Sequence, residues 1–502
     1  MRRLGGLFLA GVCVMGLLAA CGGKTDETAR AAGMVPANAI GFLSVNLEPS
    51  IEQKRNMLGI AKAFPGAKAK DEFEESRDDL FDQILEDSGL DYKTDVKPWL
   101  GKEIAVTALP SPTADGEPLV LVMIAAEDED KARVALDKAR KADGADFTYE
   151  FVDGYAIVSE GSKPGAAAPI VKQAKAKADG LADSARFSQI VDELHGDRLI
   201  LGWFDPSAIT KELQGAGGLP TEFSKQFKTA GPMAFDVHAA SKAIVAEGVS
   251  IASADARRGQ PKITEGLPAT TMGALTLFNV GGSAVNGLEG FLGTGGSDTS
   301  EFEAEFRENT GLDLKTEILS WVQGEAVVMA MPSAQQFPDV ALILEPSDMA
   351  KAQAAVPKMA AALTERADVP LRDVAVDGGR AFEVTEPIND GVQPAFGLVH
   401  GRFIIASSLA QLRTVSKDSE QPLAKTASYA RVVAEGSSSQ TQLQLVLLLD
   451  PIREMFEKIF GLEDDADYAR DTKPNLVPLD SFGTRVFRDG RFDRFESKLT
   501  FD

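Results

Sequence analysis

The residue types able to do chemistry in this chain recur in pairs. Gly89-Leu90-Asp91-Tyr92-Lys93-Thr94 is echoed by Gly311-Leu312-Asp313-Leu314-Lys315-Thr316, and Glu103 is echoed by Glu325. Two carboxylates brought together from two copies of a unit could share one proton, since like charges cannot both ionise at close range, and could then work as acid and base in a hydrolase. The surroundings of Asp91 and Asp313, Leu-Asp-Tyr-Lys and Leu-Asp-Leu-Lys, lack the small Thr/Ser-Gly neighbours of an aspartic-protease site. Each Asp also follows a Gly that suits the end of a helix and precedes a helical pattern, the place of an N-cap. Capping is therefore the expected role, with the pair Asp91 and Asp313 as the secondary, catalytic reading. Glu103 and Glu325 open matching strands, where solvated strand ends are expected.

Other chemistry is thin. His195 closes a helical pattern, and His238 and His400 stand alone in strand-like runs, so no His pair lies within one turn and a zinc or iron site is not expected. No G-x-S-x-G elbow and no G-x-x-x-x-G-K-[ST] loop occurs; Gly281-Gly282-Ser283-Ala284-Val285 fails at the last position. The acidic run Glu463 to Asp467 reads as a solvated loop rather than a calcium site. No cofactor is implied. With 52 Lys+Arg against 75 Asp+Glu the net charge is −23, which argues against nucleic-acid binding and against adsorption to anionic lipid by charge alone.

The N-terminus reads as an address. Met1-Arg2-Arg3 is a positive n-region, and Leu4 to Ala20 is an apolar run too short for a spanning helix and suited to a signal peptide, residues 1–20. The run ends Leu18-Ala19-Ala20-Cys21-Gly22, which resembles the lipobox of bacterial lipoproteins. That resemblance implies cleavage before Cys21 and acylation of its thiol and amine, and so a membrane partner through acyl chains. Several chains matter, because one alone holds only marginally at about 0.8 kcal/mol per buried methylene. Cys13 falls in the removed segment, so the mature chain has no thiol left for a disulfide, a zinc site or catalysis. Residues 21–34 form the lipidated Cys and a small, polar tether.

The elements that must position these residues are written twice. Val35-Pro36-Ala37-Asn38-Ala39-Ile40-Gly41 reads against Leu267-Pro268-Ala269-Thr270-Thr271-Met272-Gly273, and Trp99 to Pro110 reads against Trp321 to Pro332 without a gap. Asp205-Pro206 and Asp450-Pro451 each follow an apolar strand and open a helical pattern, with Asp as the cap and Pro at N1. Asp128 and Asp348 start helices in the same way. Trp99 and Trp321 are read as plugs under the preceding turn. We therefore read a tandem duplication: a first lobe at 35–251, a polar linker at 252–266 and a second lobe at 267–502. The lobes either stand as separate domains or pair about a pseudo-twofold axis.

Within each copy, short strand-like runs such as Phe42–Leu47, Ile104–Ala108 and Leu199–Phe204 mix with amphipathic helices such as Phe187–Leu194 and Ile452–Phe460. Several strands adjoin directly as hairpins. The expected class is α+β, two tandem homologous lobes, each a largely antiparallel sheet with packed helices. The acidic run Asp71 to Asp87 reads as a helix, and the Gly-rich stretch Asn279 to Gly296 as a loose loop.

The run from Val35 (VPANAIGFLSVNLEPS) through Gly89-Leu90-Asp91 to Trp99-Leu100-Gly101 resembles a family of bacterial exported proteins known as domain of unknown function 3352. The resemblance implies an envelope location and a duplicated architecture, and transfers no site residues. The expectation is a lipid-anchored, extracytoplasmic, non-catalytic binding or scaffolding protein whose partner is an envelope protein, a lipid or a small solute. The alternatives are a carrier with a cleft in or between the lobes, and a hydrolase with carboxylates at the lobe interface. Cys21→Ser is expected to abolish palmitate labelling and release the protein from the membrane fraction; continued palmitate uptake would refute the anchor.

Overall fold

The computed structural model describes residues 30–502 except 66–77, 79–80, 84, 86–87, 112–116, 143–145, 162–164, 177–179, 216–229, 253–256, 279–302, 305–306, 309–310, 334, 336, 367, 388–391 and 434–439. The signal segment, Cys21, the Gly-rich stretch and most of the acidic run 71–87 thus lie outside the described residues. The chain divides into two compact units: residues up to Ala252 with Arg491–Glu496, and Ser253–Gly490 with Ser497–Asp502.

The first unit contains β1 (Gly41–Asn46), β2 (Leu100–Leu109), β3 (Leu119–Ala126), β4 (Phe147–Val152), β5 (Tyr155–Glu160), β6 (Ile200–Phe204), β7 (Met233–Ala240) and β8 (Ala243–Ile251). They pair antiparallel in the order β4-β5-β3-β2-β1-β6-β7-β8. The second unit contains β9 (Gly273–Phe278), β10 (Val322–Met331), β11 (Asp339–Pro346), β12 (Leu371–Val376), β13 (Gly379–Val384), β14 (Ala395–Val399), β15 (Arg402–Ala406), β16 (Thr441–Leu448) and β17 (Leu479–Asp489). Their order is β12-β13-β14-β15-β11-β10-β9-β16-β17, again antiparallel. A last strand, β18 (Phe492–Phe501), has its first half in the first unit and its second half in the second. The α+β class with antiparallel sheet is therefore the fold. The second unit differs from the first by one added hairpin, β12–β13.

Alternation places the cores. In β9 the side chains of Ala274, Thr276 and Phe278 are buried, while the intervening ones are less so. The first unit's core gathers Leu121, Met123, Ile157, Leu201 and Trp203; the second has one cluster around Val327, Ile343, Ile404 and Leu412 and another around Trp321, Val356 and Phe403. Hairpins β4–β5 and β14–β15 turn through Asp153-Gly154 and His400-Gly401, all four at positive φ. That is the primed-turn backbone whose twist matches the flanking strands. His400 is thus a turn residue.

Two boundaries move. Residues 30–34, read as the end of the tether, form a helical turn with Ala31, Ala32 and Met34 buried. Residues 262–266, read as the end of the linker, form its counterpart, with Ile263, Thr264 and Gly266 buried. In both places polar residues flank two or three apolar ones, too few to show helical periodicity in the sequence. From there the backbone bonds run in parallel: Leu181 N–H donates to Val35 O (2.7 Å) and Leu423 N–H to Leu267 O (2.6 Å), while Ile40 and Met272 N–H donate to Ala108 and Ala330 O (both 2.9 Å).

Trp99 and Trp321 are buried, and each indole N–H donates back to the carbonyl of the residue four before it, Asp95 or Glu317, at 2.6 Å. Trp321 also meets Phe403 edge-on at 5.5 Å. Trp321→Ala is expected to lower unfolding free energy by about 3–5 kcal/mol, read from urea midpoints; a loss within about 0.5 kcal/mol would show that the ring does not anchor the turn.

Candidate functional site

The repeated aspartates are caps. Asp91 Oδ1 accepts from the Thr94 N–H and hydroxyl, both at 2.8 Å, and Asp313 Oδ1 from those of Thr316 at 2.8 and 2.9 Å. Asp95 and Glu317 reciprocate, accepting from the Asp91 and Asp313 N–H at 2.9 and 3.0 Å. This is a capping box with the acid at N4 rather than N3, because the turns that follow, Tyr92–Val96 and Leu314–Leu319, are wider π-type turns. Gly89 and Gly311 precede at φ 68° and 69°. These hydrogen bonds hold Asp91 below the ordinary carboxylate pKa, and Asp313, which also pairs with Arg307, down to about 2. A proton-sharing dyad needs one member raised. Asp128 and Asp348 likewise cap helices, each accepting at 3.1 Å from the N–H three residues on.

The Asp-Pro pairs part company. Asp205 Oδ1 accepts from the Ala208 N–H (3.0 Å), with Pro206 opening the helix Pro206–Gly215, while Oδ2 pairs with Arg186 (3.0 Å). Asp450 is not a cap. Its helix begins at Leu449 with Leu448 in the cap position, so Pro451 stands in the first turn and Asp450 pairs with Arg453 at 2.6 Å. Register explains the shift: Phe204 faces Gly41, and Leu447 faces Gly273. Asp205 is therefore matched by Leu448, not by Asp450.

Glu103 and Glu325 overturn the expectation of solvated strand ends. Both are buried, at 3% and 2% exposure. Each lies in a bulge where β2 or β10 carries two more residues than its partner, between Leu100 and Ile104 and between Val322 and Ala326. Gly101 and Gly324 permit the close approach: a Cβ there would lie 2.9 Å from Ala125 Cβ, or 2.7 Å from the Glu345 carbonyl oxygen. Each carboxyl shares the inward side of its strand with Ala105 and Thr107, or with Val327 and Met329, and lies beneath the short buried helix. Glu325 accepts from the N–H of Ile263 (2.8 Å) and Thr264 (3.1 Å); Glu103 Oε2 accepts from the Tyr155 hydroxyl (2.6 Å), while Oε1 has no hydrogen-bond partner. Burial, the largest cause, pushes both carboxyls up from 4.5 to about 7. Their signal in the sequence was a Glu at the same position in both copies, directly ahead of an apolar run.

Two of the three histidines also meet, which their sequence spacing concealed. The His195 and His238 rings stack at 4.2 Å, and the fully buried Asp236 accepts from His238 Nδ1 (2.7 Å) and the His195 N–H (3.1 Å). Parallel rings point their lone pairs side by side, not at one centre, and among the described residues no group of three His, Cys, Asp or Glu is gathered for a metal. In the acidic run, Asp465 accepts from the N–H of Asp467 and Tyr468 at 2.9 and 3.0 Å, a local cap. The helix Leu449–Phe460 buries Glu457, which pairs with Lys473, and exposes Phe456 and Phe460.

The second unit carries a cleft of about 690 Å³ between the helix Met349–Arg366 and the hairpin β12–β13 with β14. Val356, Ala360, Leu371, Phe382 and Leu398 supply apolar walls; Glu365, Asp373 and Arg380 supply the charges, the last two paired with each other. Pro357 on the helix wall removes the helical donor to the Gln353 carbonyl. In the first unit the corresponding helix, Glu129–Arg140, is clamped onto its hairpin. Arg133 and Arg140 lie over the Phe151 and Tyr149 rings at 4.5 and 5.5 Å, and the Tyr149 hydroxyl donates to Asp137 (2.7 Å). The second helix has 18 residues against 12, and its sheet has the extra hairpin.

Fold and site together define an antiparallel α+β protein whose repeated carboxyls brace the backbone and whose second unit carries a cleft. Residues 4–450 match the family described as protein of unknown function (DUF3352), and the chain belongs to that family. No curated protein matches. Among solved structures, crystal form III of TP0453 is similar at 12% identity over 49% of this chain and 80% of that one, with a TM-score of 0.25. Crystal form I is similar at 10% identity over 46% and 80%, with a TM-score of 0.22. Scores this low bear on neither fold nor function.

Because the raised pKa favours the neutral acids in the folded chain, their contribution is full below about pH 4.5 and is lost as pH rises to about 7. Glu103→Gln with Glu325→Gln stays neutral throughout, so its urea midpoint is expected to gain on the wild type between those limits. Equal pH profiles for the two proteins would refute the burial of charge.

Proposed function

We propose that the chain is a lipid-anchored, extracytoplasmic lipoprotein of a bacterial envelope, built by tandem duplication into two homologous lobes, and that it works by binding rather than catalysis. The observation that carries the reading is the matched use of the repeated carboxyls. Asp91 and Asp313 accept from their own turns and are held ionised, and Glu103 and Glu325 are enclosed beneath short helices, so neither pair is free to act on a substrate. Membership in a family of no stated activity is compatible with this, and the lipobox-like end at Cys21 supports the anchor.

The duplication is supported by like registers. Gly41 faces Ala108 and Gly273 faces Ala330, with the same two-residue bulge further along each strand. Of the binding modes, capture of a small molecule is favoured over scaffolding by the cleft, a volume within the range of ligand sites.

Native mass spectrometry of protein purified from its own host tests the reading. A co-purifying small molecule, lipid or protein is expected. A bare chain that hydrolyses ester or peptide probes, with turnover abolished by Asp91→Asn, would overturn it.

A further inference from the structure

We propose that the cleft of the second unit holds one long-chain amphiphile, its single acyl chain laid along the helix Met349–Arg366 and its head group zwitterionic. The inference deepens the binding reading above and rests on it. Three observations carry it.

The first is shape. Met349 and Glu365 both line the cleft, sixteen residues apart on one helix, or about 24 Å at 1.5 Å per residue. Half of a roughly 30 Å bilayer core, about 15 Å, is the reach of one acyl chain, so a chain laid along the apolar wall leaves the rest of the length for a head group.

The second is charge. The ionised side chains of the lining are Glu365, Asp373 and Arg380, a net of −1, with Arg380 bound to Asp373. A fatty-acid carboxylate would meet repulsion from Glu365 and no unpaired cation. A zwitterionic head can place its cationic end toward Glu365 and leave the Arg380–Asp373 pair intact.

The third is the contrast between the units. In the first unit the Tyr149 and Phe151 rings of β4 lie directly under Arg140 and Arg133 of the corresponding helix. In the second unit the space is open, its outer wall is the hairpin the first unit lacks, and its lining residue Val356 belongs to the buried cluster that also holds Trp321, Phe396 and Phe403.

The test uses the mature chain from residue 21 with Cys21→Ser, free of its own acyl groups, titrated calorimetrically with 16-carbon lysophosphatidylcholine and, in a second arm, with palmitate. Saturable one-to-one binding of the lysolipid is expected, with palmitate weaker by at least about tenfold. Ala361→Trp, an exposed helix position on the cleft, is expected to weaken lysolipid binding at least about tenfold, while Ala354→Trp, exposed on the same helix but off the cleft, leaves it unchanged. No binding, or binding that Ala361→Trp does not weaken, overturns the site; palmitate bound as tightly as the lysolipid overturns the head-group assignment. If host-purified protein carries a protein partner while the lysolipid fails to bind, the binding reading stands and this ligand falls.

Discussion

The arrangement of each unit depends on a buried carboxyl on the inward side of a central strand. An acid enclosed at 2–3% exposure destabilises the fold unless it stays neutral or meets donors. The second unit meets the requirement with two helix N–H groups, the first with the Tyr155 hydroxyl. In the second unit this ties a five-residue helix, too short to hold by itself, to a central strand. In both units the short helix leads directly into the central β-strand, so its placement fixes where the sheet begins. A neutral acid at such a joint also makes the joint responsive to pH, which surface carboxylates such as Asp91 and Asp313 oppose in sign because their pKa values are lowered.

Around that shared frame the two units have taken different courses. The first closes its helix over the hairpin with stacked guanidinium and aromatic groups. The second lengthens the helix, places Pro357 within it and adds two strands. The cleft lies between that helix and the added hairpin. Binding capacity in the proposed reading comes from what differs between the units, whereas the residues they have in common keep the backbone in place.

Much of the site chemistry was legible in the residues, where it was local. Asp91, Asp313, Asp128 and Asp348 cap turns a few residues away, so spacing alone identified them. Asp450 misled because a Leu-Leu-Leu-Asp-Pro run does not state at which residue the strand ends; pairing with β9 fixed that. Glu103 and Glu325 were misread as wet because the short helices that cover them, residues 30–34 and 262–266, lie about 60–70 residues away in the chain and show no periodicity of their own. The stack of His195 on His238 spans 43 residues and two elements, beyond any local pattern.

By itself the amino-acid order determined the antiparallel α+β class, the helix caps and the strand periodicity, because these follow from backbone preferences and from interactions across three or four residues. Burial of the two glutamates, separation of the Asp-Pro pairs and opening of the cleft were decided only in three dimensions. Each depends on which strand lies beside which and in what register, and therefore on contacts between segments tens to hundreds of residues apart.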